Sequence, residues 1–591
     1  MRLGFQRGIR LLAGLVAFVA VLGASQSYAG VCDVPDDAHR INVRDFHTMG
    51  DGKSDDGPAL RAALTAALGG SKPAVLEFES GKVYRITSFE EDFALRIVNA
   101  QNVTLLGNGA QLLLLPPHKI IRIDGSSDVS VCKLKIDYSP LPFTQGLVVA
   151  SDPVGGTFDV EVESGFDVPA VDAEGVTDNS AVWRFAIPYQ GAGRFEKRVQ
   201  VKTVRAGQSA RRIRIVPESA EDVGRMAPNQ THLVLAMPKM GQTGGFAFAI
   251  VKSDRVHFDS VSVYAIPQQS FFIADNVGPI TFSHVEQRRP AGSNRVMTGW
   301  RGVFRAMDNR APVSWDGCFV EGAFDDAFNL LAIYQLVVEK VGDKSWRLVD
   351  LGANDSPIYK PGDRLQAIDL SPKRTLLGEA KIALVTQSGK ESVVVLENPL
   401  PLKVGERACM ENRNLCGSRV INLDAANENS SIRNCEIDGS VRLRSKSTIE
   451  NSKIDGVLQI AASPTREGPL PRDIVIRNSV LNGHIRVGAD ANVGRLVGEN
   501  GDTSSWTGGE RWARNITFQN DRILAVFRAE GASLNLVGND ISWPPGRKFQ
   551  ISNSGPVRIR NLSANGAAVA QPSDRVTTGA GMSASDVVIE K

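Results

Sequence analysis

Five short segments in the last third of the chain share one pattern. IRNCEI begins at Ile432, IENSKI at Ile449, IRNSVL at Ile476, FQNDRI at Phe518 and IRNLSA at Ile559. Each puts an apolar residue first and Asn third, and the first four end on Ile or Leu. The starts are unevenly spaced, so loops of different length interrupt equivalent units. A short alternating strand buries one row of side chains and exposes the other. Asn at a fixed place marks a turn, because it accepts left-handed backbone and bonds locally. Such units cannot bury their apolar row alone and must stack. Earlier stretches share the character: ALRIVNAQNVTLLGNGAQLLL from Ala94, FAIVKSDRVHFDSVSVYAI from Phe248 and FFIADNVGPITFSHVEQ from Phe271. Long amphipathic helices are missing from the pattern. The chain therefore reads as all-β and as a parallel β-helix, with a string of β-sandwiches as the competing architecture.

Two stretches break the rung pattern. In 146–238 (GTFDVEVES, RRIRIVPES) and 334–410 (LVVEKVGDKSWRLVDL, ESVVVLENPL) the strands lengthen and the Asn-marked turns disappear. Both read as small β-barrels inserted into the solenoid. The remaining parts are then a cap with the first rungs (30–145), central rungs (239–333), C-terminal rungs (411–570) and a tail (571–591). In INVRDFHTMGDGKSDDGPALRAALTAAL a strand and an Asp51-Gly52 turn lead into a short helix, capped by Asp55 or Asp56, with Pro58 in its first turn. The acids there lack calcium-loop spacing, since Ala62 stands where a Glu is needed, and are read as structural.

Residues 1–29 read as a secretory signal peptide rather than fold. Arg2, Arg7 and Arg10 precede the apolar run Leu11 to Leu22, and Ser27-Tyr28-Ala29 puts small residues at the cleavage positions. A membrane anchor is the competing reading, but the run is shorter than the roughly 20 residues a span needs. A periplasmic or secreted protein is expected, with no membrane span after processing. Removing the segment takes the formal charge from +2 to −1. That balance offers nucleic acid and anionic lipid no global attraction, so any polyanion site must be local. Six cysteines lie beyond it, and an export compartment permits disulfides. Cys409 and Cys416, close together in one loop-like segment, are the expected pair. Zinc-type spacing is missing, and no cofactor is expected, calcium excepted if the chain is a lyase. His257 and His284 fall in strand-like segments and are read as structural.

The opening INVRDFHTMGDGKSDDGPALRAAL resembles the first segment of the pectate-lyase superfamily of right-handed β-helices, whose short helix caps the solenoid. KIDYSPLPFTQG from Lys135, PGDRLQAIDLSPKRTLLGEA from Pro361 and FVEGAFDDAFNLL from Phe319 narrow the likeness. With two inserted barrels, they resemble the β-helical α-1,3-galactosidases, glycoside hydrolase family 110, over roughly residues 40 to 480. The resemblance implies an inverting hydrolase whose acidic centre is an Asp-Asp pair plus an Asp from the preceding rung. The pair carries over onto Asp325 and Asp326. The third acid does not: GWRGVFRAMDNR puts Arg301 at its position, Phe304 where relatives often carry His, and Ser139 replaces an Asp of the IDYxPLPFTQG segment.

Hydrolysis of a glycoside needs one carboxylic acid for the leaving oxygen, and inversion adds a carboxylate that activates water. Neighbouring residues on a strand face opposite ways, so Asp325 and Asp326 share a site only if the chain turns there. Close carboxylates then push one pKa upward, keeping an acid protonated near neutrality. Glu321 and Asp308 are candidates for the missing acid. Arg301, Arg288 and Arg289 are candidate clamps for an acidic substrate. Trp300, Trp506 and Trp512 are candidate sugar platforms. Three functions stay open on these residues. The first is an α-galactosidase-like hydrolase of a polysaccharide or glycan. The second is a uronate-polymer lyase using Arg301 with carboxylate-bound calcium. The third is a non-catalytic glycan-binding envelope protein. Oligomeric state is not legible.

Overall fold

The computed structural model describes residues 32–590, apart from 33, 35–36, 71–72, 172–184, 191–193, 238–244, 351–358, 370–374, 407–416, 464–465, 489–512, 525, 543–547, 553, 570–575, 579–581 and 583–585. It is a right-handed parallel β-helix with three long sheets as faces. The first face runs from His39–Asn42 to Val587–Glu590 and the second from Asp51–Asp55 to Ala567–Ala568. The third runs from Phe93–Val98 to Val576–Thr578. Within a rung the chain visits the third, first and second faces in turn, and equivalent strands pair in parallel from rung to rung, except that Ala567–Ala568 ends the second face antiparallel to Ser563–Ala564.

The Asn of the repeat lies at the corner between the first and second faces. Asn434, Asn451, Asn478, Asn520 and Asn561 all have φ between 50° and 55°, the left-handed conformation that Asn tolerates best after Gly. The next corner is set by close approach. Gly439, Gly456 and Gly483 stack there, and a Cβ on Gly456 would lie 2.1 Å from the Gly439 carbonyl oxygen. Inside, equivalent positions stack like on like. Phe248, Phe271, Phe304 and Phe328 form a column with ring centroids 4.5, 5.0 and 4.9 Å apart. A buried amide ladder runs parallel to it: Asn276 Nδ2 donates to Asn309 Oδ1 (2.8 Å) and Asn309 Nδ2 to Asn427 Oδ1 (2.7 Å). Their remaining N–H groups donate to backbone carbonyls at the bend, which satisfies the corner on these three rungs.

The end of the solenoid is closed by the helix Gly57–Leu68, whose Leu60, Ala63, Leu64 and Ala67 join the core. Asp55 accepts from Gly57 N (3.1 Å) and Thr87 N (2.9 Å), whereas Asp56 accepts from Met49 N (2.6 Å) and Gly50 N (3.1 Å). These acids are structural. A disulfide joins Cys32 to Cys132. The expected Cys409–Cys416 pair lies outside the described residues.

Both insertions are closed six-stranded barrels. The first occupies the corner between the second and third faces, with strands from Phe143–Asp152 to His232–Ala236. The second leaves the third face at Ile333 and closes only with Ser418–Asn422, past the expected boundary at 410. The expected tail also differs, because Val576–Thr578 and Val587–Glu590 extend the third and first faces. Among the described residues no helix is long and apolar enough to cross a membrane.

Gly456 sits at a non-left-handed position, so its role is close approach alone. Gly456→Ala is expected to cost about 1–3 kcal/mol by overpacking. Gly224→Ala, with nothing within 4 Å of the new Cβ, is expected to leave the thermal midpoint unchanged. Parallel thermal melts of the two variants check this.

Candidate active site

The pair Asp325-Asp326 stands where the chain passes from one hydrophobic core to another. Phe324 points into the first barrel and packs against Phe185 and Phe195, centroids 5.7 and 5.9 Å away. Phe328 points into the solenoid and completes the Phe column. The backbone bends at Phe324 and Asp325, and the strand Asp326–Ile333 starts with a bulge: Asp326 pairs with Ser440, but Phe328 pairs with Val441. The extra residue re-aims the strand's first side chain. In this way two adjacent acids reach one cavity, Asp325 exposed and Asp326 buried. The neighbouring rung leaves room for the bulge, since a Cβ on Gly302 would lie 2.7 Å from the Asp326 carbonyl oxygen.

The cavity holds about 240 Å³ and opens on the third face. Its lining is dominated by charge: Arg301, Arg305, Arg442 and Arg466 against Asp325, Asp326 and Glu467. Gln269 and Asn329 complete the polar wall. Arg305, Asn329 and Arg442 are register equivalents on three successive rungs, so the parallel ladder alone puts them in one outward row. Arg442 Nε lies 2.9 Å from Asp326 Oδ1, and Asn329 Nδ2 donates to Asp326 Oδ2 (3.3 Å). Behind them Arg444, fully buried, donates to Asn329 Oδ1 (2.7 Å) and to Glu467 Oε2 (2.8 Å).

These surroundings split the acids. Burial, then the neighbouring Asp325 carboxylate, pushes Asp326 up to about 7, against the pull of Arg442 and Arg444. Burial alone would lift Glu467 too, but Arg444, Arg305, Arg442 and Arg466 hold it below the usual carboxylate range. Arg301 is held below its ordinary value by burial, and the like charges of Arg305, Arg198 and Arg466 act in the same direction against Asp325. The cavity thus offers a carboxyl pushed up to about 7, an exposed neighbouring acid and a ring of guanidinium groups.

Several residues singled out by sequence lie elsewhere. Trp300 is no sugar platform: it is buried in the first barrel's core, edge-on to Phe185, and donates from Nε1 to Pro142 O (3.3 Å). It anchors the turn that carries Arg301. Glu321 is bound by Arg289 through side chain and backbone, and Arg288 lies over the Phe319 ring, all outside the cavity. Asp308 is half-buried against the second barrel's entry, accepting from Ile333 N (2.9 Å), and desolvation followed by Asp275 pushes its carboxyl well above the usual carboxylate range. Phe304 belongs to the core column and Ser139 precedes the first barrel; neither lines the cavity. His257 is buried against the Thr281 hydroxyl, and His284 is exposed beside Asp259. Trp506 and Trp512 lie outside the described residues.

Arg305, Asn329, Arg442, Arg444 and Glu467 were not singled out by sequence. Laying DGSVRLRSK beneath DDAFNLL would have exposed three of them, because rungs stack in register. Glu467 arrives by a short strand that pairs antiparallel with Ala332 and Ile333, and no repeat signals it.

No family model matches the chain, and no curated protein matches it. Solved structures of similar fold include the mannuronan C-5 epimerase A-module of Azotobacter vinelandii, at 10% identity and TM-score 0.38, covering 93% of this chain and 100% of that one. The family 28 exopolygalacturonase of Yersinia enterocolitica matches at 8% identity and TM-score 0.37, covering 94% and 78%. A mutant tailspike protein of Escherichia coli bacteriophage HK620, solved with a pentasaccharide, matches at 8% identity and TM-score 0.40, covering 93% and 80%.

A carboxyl raised on folding favours the native state at low pH and loses that contribution as pH rises through its folded value. For Asp326 the window runs from about pH 4 to about pH 7. Asp326→Asn removes the cost of the buried charge. The variant is therefore expected to gain stability relative to wild type between pH 5 and pH 8, by on the order of 2 kcal/mol. Denaturation midpoints at both pH values check this.

Proposed function

We propose that the chain is a carbohydrate-active hydrolase that cleaves a glycosidic bond beside an anionic sugar unit. The observation carrying this reading is the juxtaposition in one cavity of a buried, proton-holding Asp326, an exposed Asp325 and four arginines. In the proposed chemistry, Asp326 donates its proton to the glycosidic oxygen as the bond to the leaving sugar breaks. Asp325 takes a proton from the attacking water, in single displacement. Arg301, Arg305, Arg442 and Arg466 bind the substrate's anionic group, and Arg301 takes the place of an acid in the family the sequence resembles. That exchange favours an acidic sugar over a neutral galactoside. Guanidinium groups suit carboxylate or sulfate because their forked N–H groups match two oxygens at once.

A lyase is the second reading, favoured by the lowered Arg301, since a neutral guanidine could remove a proton beside a uronate carboxyl. The carboxylates do not suit the calcium that reading calls for. Glu467 is engaged by Arg444 and Asp326 by Arg442, and among the described residues no three His, Cys, Asp or Glu side chains are grouped to hold a metal. The signal-like residues 1–29 and the Cys32–Cys132 disulfide support a periplasmic or secreted location.

The test is a panel of uronate-containing, sulfated and neutral polysaccharides, with wild type, Asp325→Asn and Asp326→Asn assayed for reducing ends and for ultraviolet absorbance. Hydrolysis of an anionic polymer is expected, lowered at least 100-fold by either substitution. The rate should also fall above about pH 7, as Asp326 loses its proton. An unsaturated, ultraviolet-absorbing product would support the lyase instead. Full turnover by Asp326→Asn would remove it as the acid.

A further inference from the structure

The row that lines the cavity does not stop there. Outward positions on the third face are in register from rung to rung: Arg442 pairs with Gln459, Gln459 with Arg486, Arg486 with Arg528 and Arg528 with Gln550. Arg486, Arg528 and Gln550 are exposed. Neither Arg486 nor Arg528 is in an ion pair among the described residues. Elsewhere on the solenoid some outward arginines are neutralised, Arg477 by Glu450 (2.9 Å) on the first face and Arg560 by Glu590, whereas the exposed Arg522 and Arg558 are, like Arg486 and Arg528, in no ion pair among the described residues.

The same row on the other side of the cavity has the opposite character. Arg96 is bound by Glu90 (3.3 Å) and Glu91 (2.9 Å), and Arg122 by Asp124 (2.5 Å). Between them and the cavity the row continues as Ala249 and Phe272. Phe272 is stacked on Phe246 and buried with Met307 and Leu331. Among the described residues of this row, the arginines beyond the cavity that lack an ion pair therefore lie on its C-terminal side.

We propose that Arg486 and Arg528 form an extended subsite for an anionic polysaccharide, which leaves the cavity and lies along the third face toward the C-terminal end of the solenoid. The proposal deepens the functional reading above and rests on it for the class of polymer. Rungs repeat at about 4.8 Å, so Arg305, Arg442 and Arg486, on alternate rungs, recur at about 9.6 Å. An extended chain of pyranose units has a rise per sugar close to one rung. Alternate rungs then meet alternate sugars, and a polymer charged on every second sugar, or on every one, keeps register with the row. Side chains on rigid strands hold this spacing without a cost in loop ordering.

The test uses the full chain and affinity electrophoresis in gels containing polygalacturonate, alginate, chondroitin sulfate, neutral dextran or double-stranded DNA. Wild type is expected to be retarded by at least one of the three anionic polysaccharides and not by dextran. The Arg486→Ala/Arg528→Ala double variant should bind that polymer at least fivefold more weakly, with an unchanged thermal midpoint. Arg122→Ala should bind as wild type, and Asp326→Asn should also retain binding, which separates this proposal from the catalytic one. Loss of turnover on the long polymer but not on its shortest cleaved oligosaccharide would further support the subsite. Equal retardation of the double variant and wild type would overturn it. So would equal weakening by Arg122→Ala, retardation by DNA alone, or no retardation by any polyanion.

Discussion

The solenoid of this molecule follows from parallel strands stacked in register. One hydrogen-bonded rung above another leaves about 4.8 Å between equivalent side chains, so each position must tolerate a close copy of itself or of something similar. Apolar rings and amides do this well, which is why the interior is built as a Phe column beside an Asn ladder. Charges do it badly. A row of like charges on one face persists only if acids neutralise it or solvent screens it, and among the described residues the arginine row on the third face is ion-paired at one end and not at the other.

The same constraint explains the acid pair. A regular strand would send Asp325 and Asp326 to opposite sides. The bend at Phe324 and the bulge at Asp326 are held by two hydrophobic anchors, Phe324 in the barrel and Phe328 in the solenoid. Binding the pair between two cores fixes its position, and burial of only one member makes the two acids chemically different. The first barrel thus does more than wall the groove: its packing on Phe324 and Trp300 sets where Asp325 and Arg301 lie.

How much of this was legible depended on whether the signal was local. The Asn of IRNCEI, IENSKI and IRNSVL announces a left-handed corner from its own chemistry, and the structure puts that conformation at each one. The barrels were legible as loss of the pattern, although the return strand Ser418–Asn422 was missed because its sequence, SRVIN, looks like a rung. The site was only half legible. Asp325, Asp326 and Arg301 stand out in one segment, while Arg442 and Arg444 lie more than a hundred positions later, beyond the second barrel, and meet them through rung stacking. Trp300 misled because an aromatic beside a charged residue reads alike in a core and in a groove. Burial decides between them, and burial is a property of the barrel packed on top.

Burial pushes the Asp326 carboxyl up to about 7 inside a ring of arginines. Difference infrared spectroscopy of wild type against Asp326→Asn, titrated from pH 5 to pH 9, reads its proton directly. A protonated-carboxyl band belonging to Asp326 is expected, disappearing with a midpoint near pH 7. A band already absent at pH 5 would mean that Arg442 and Arg444 outweigh burial, and would contradict the assignment of Asp326 as the acid.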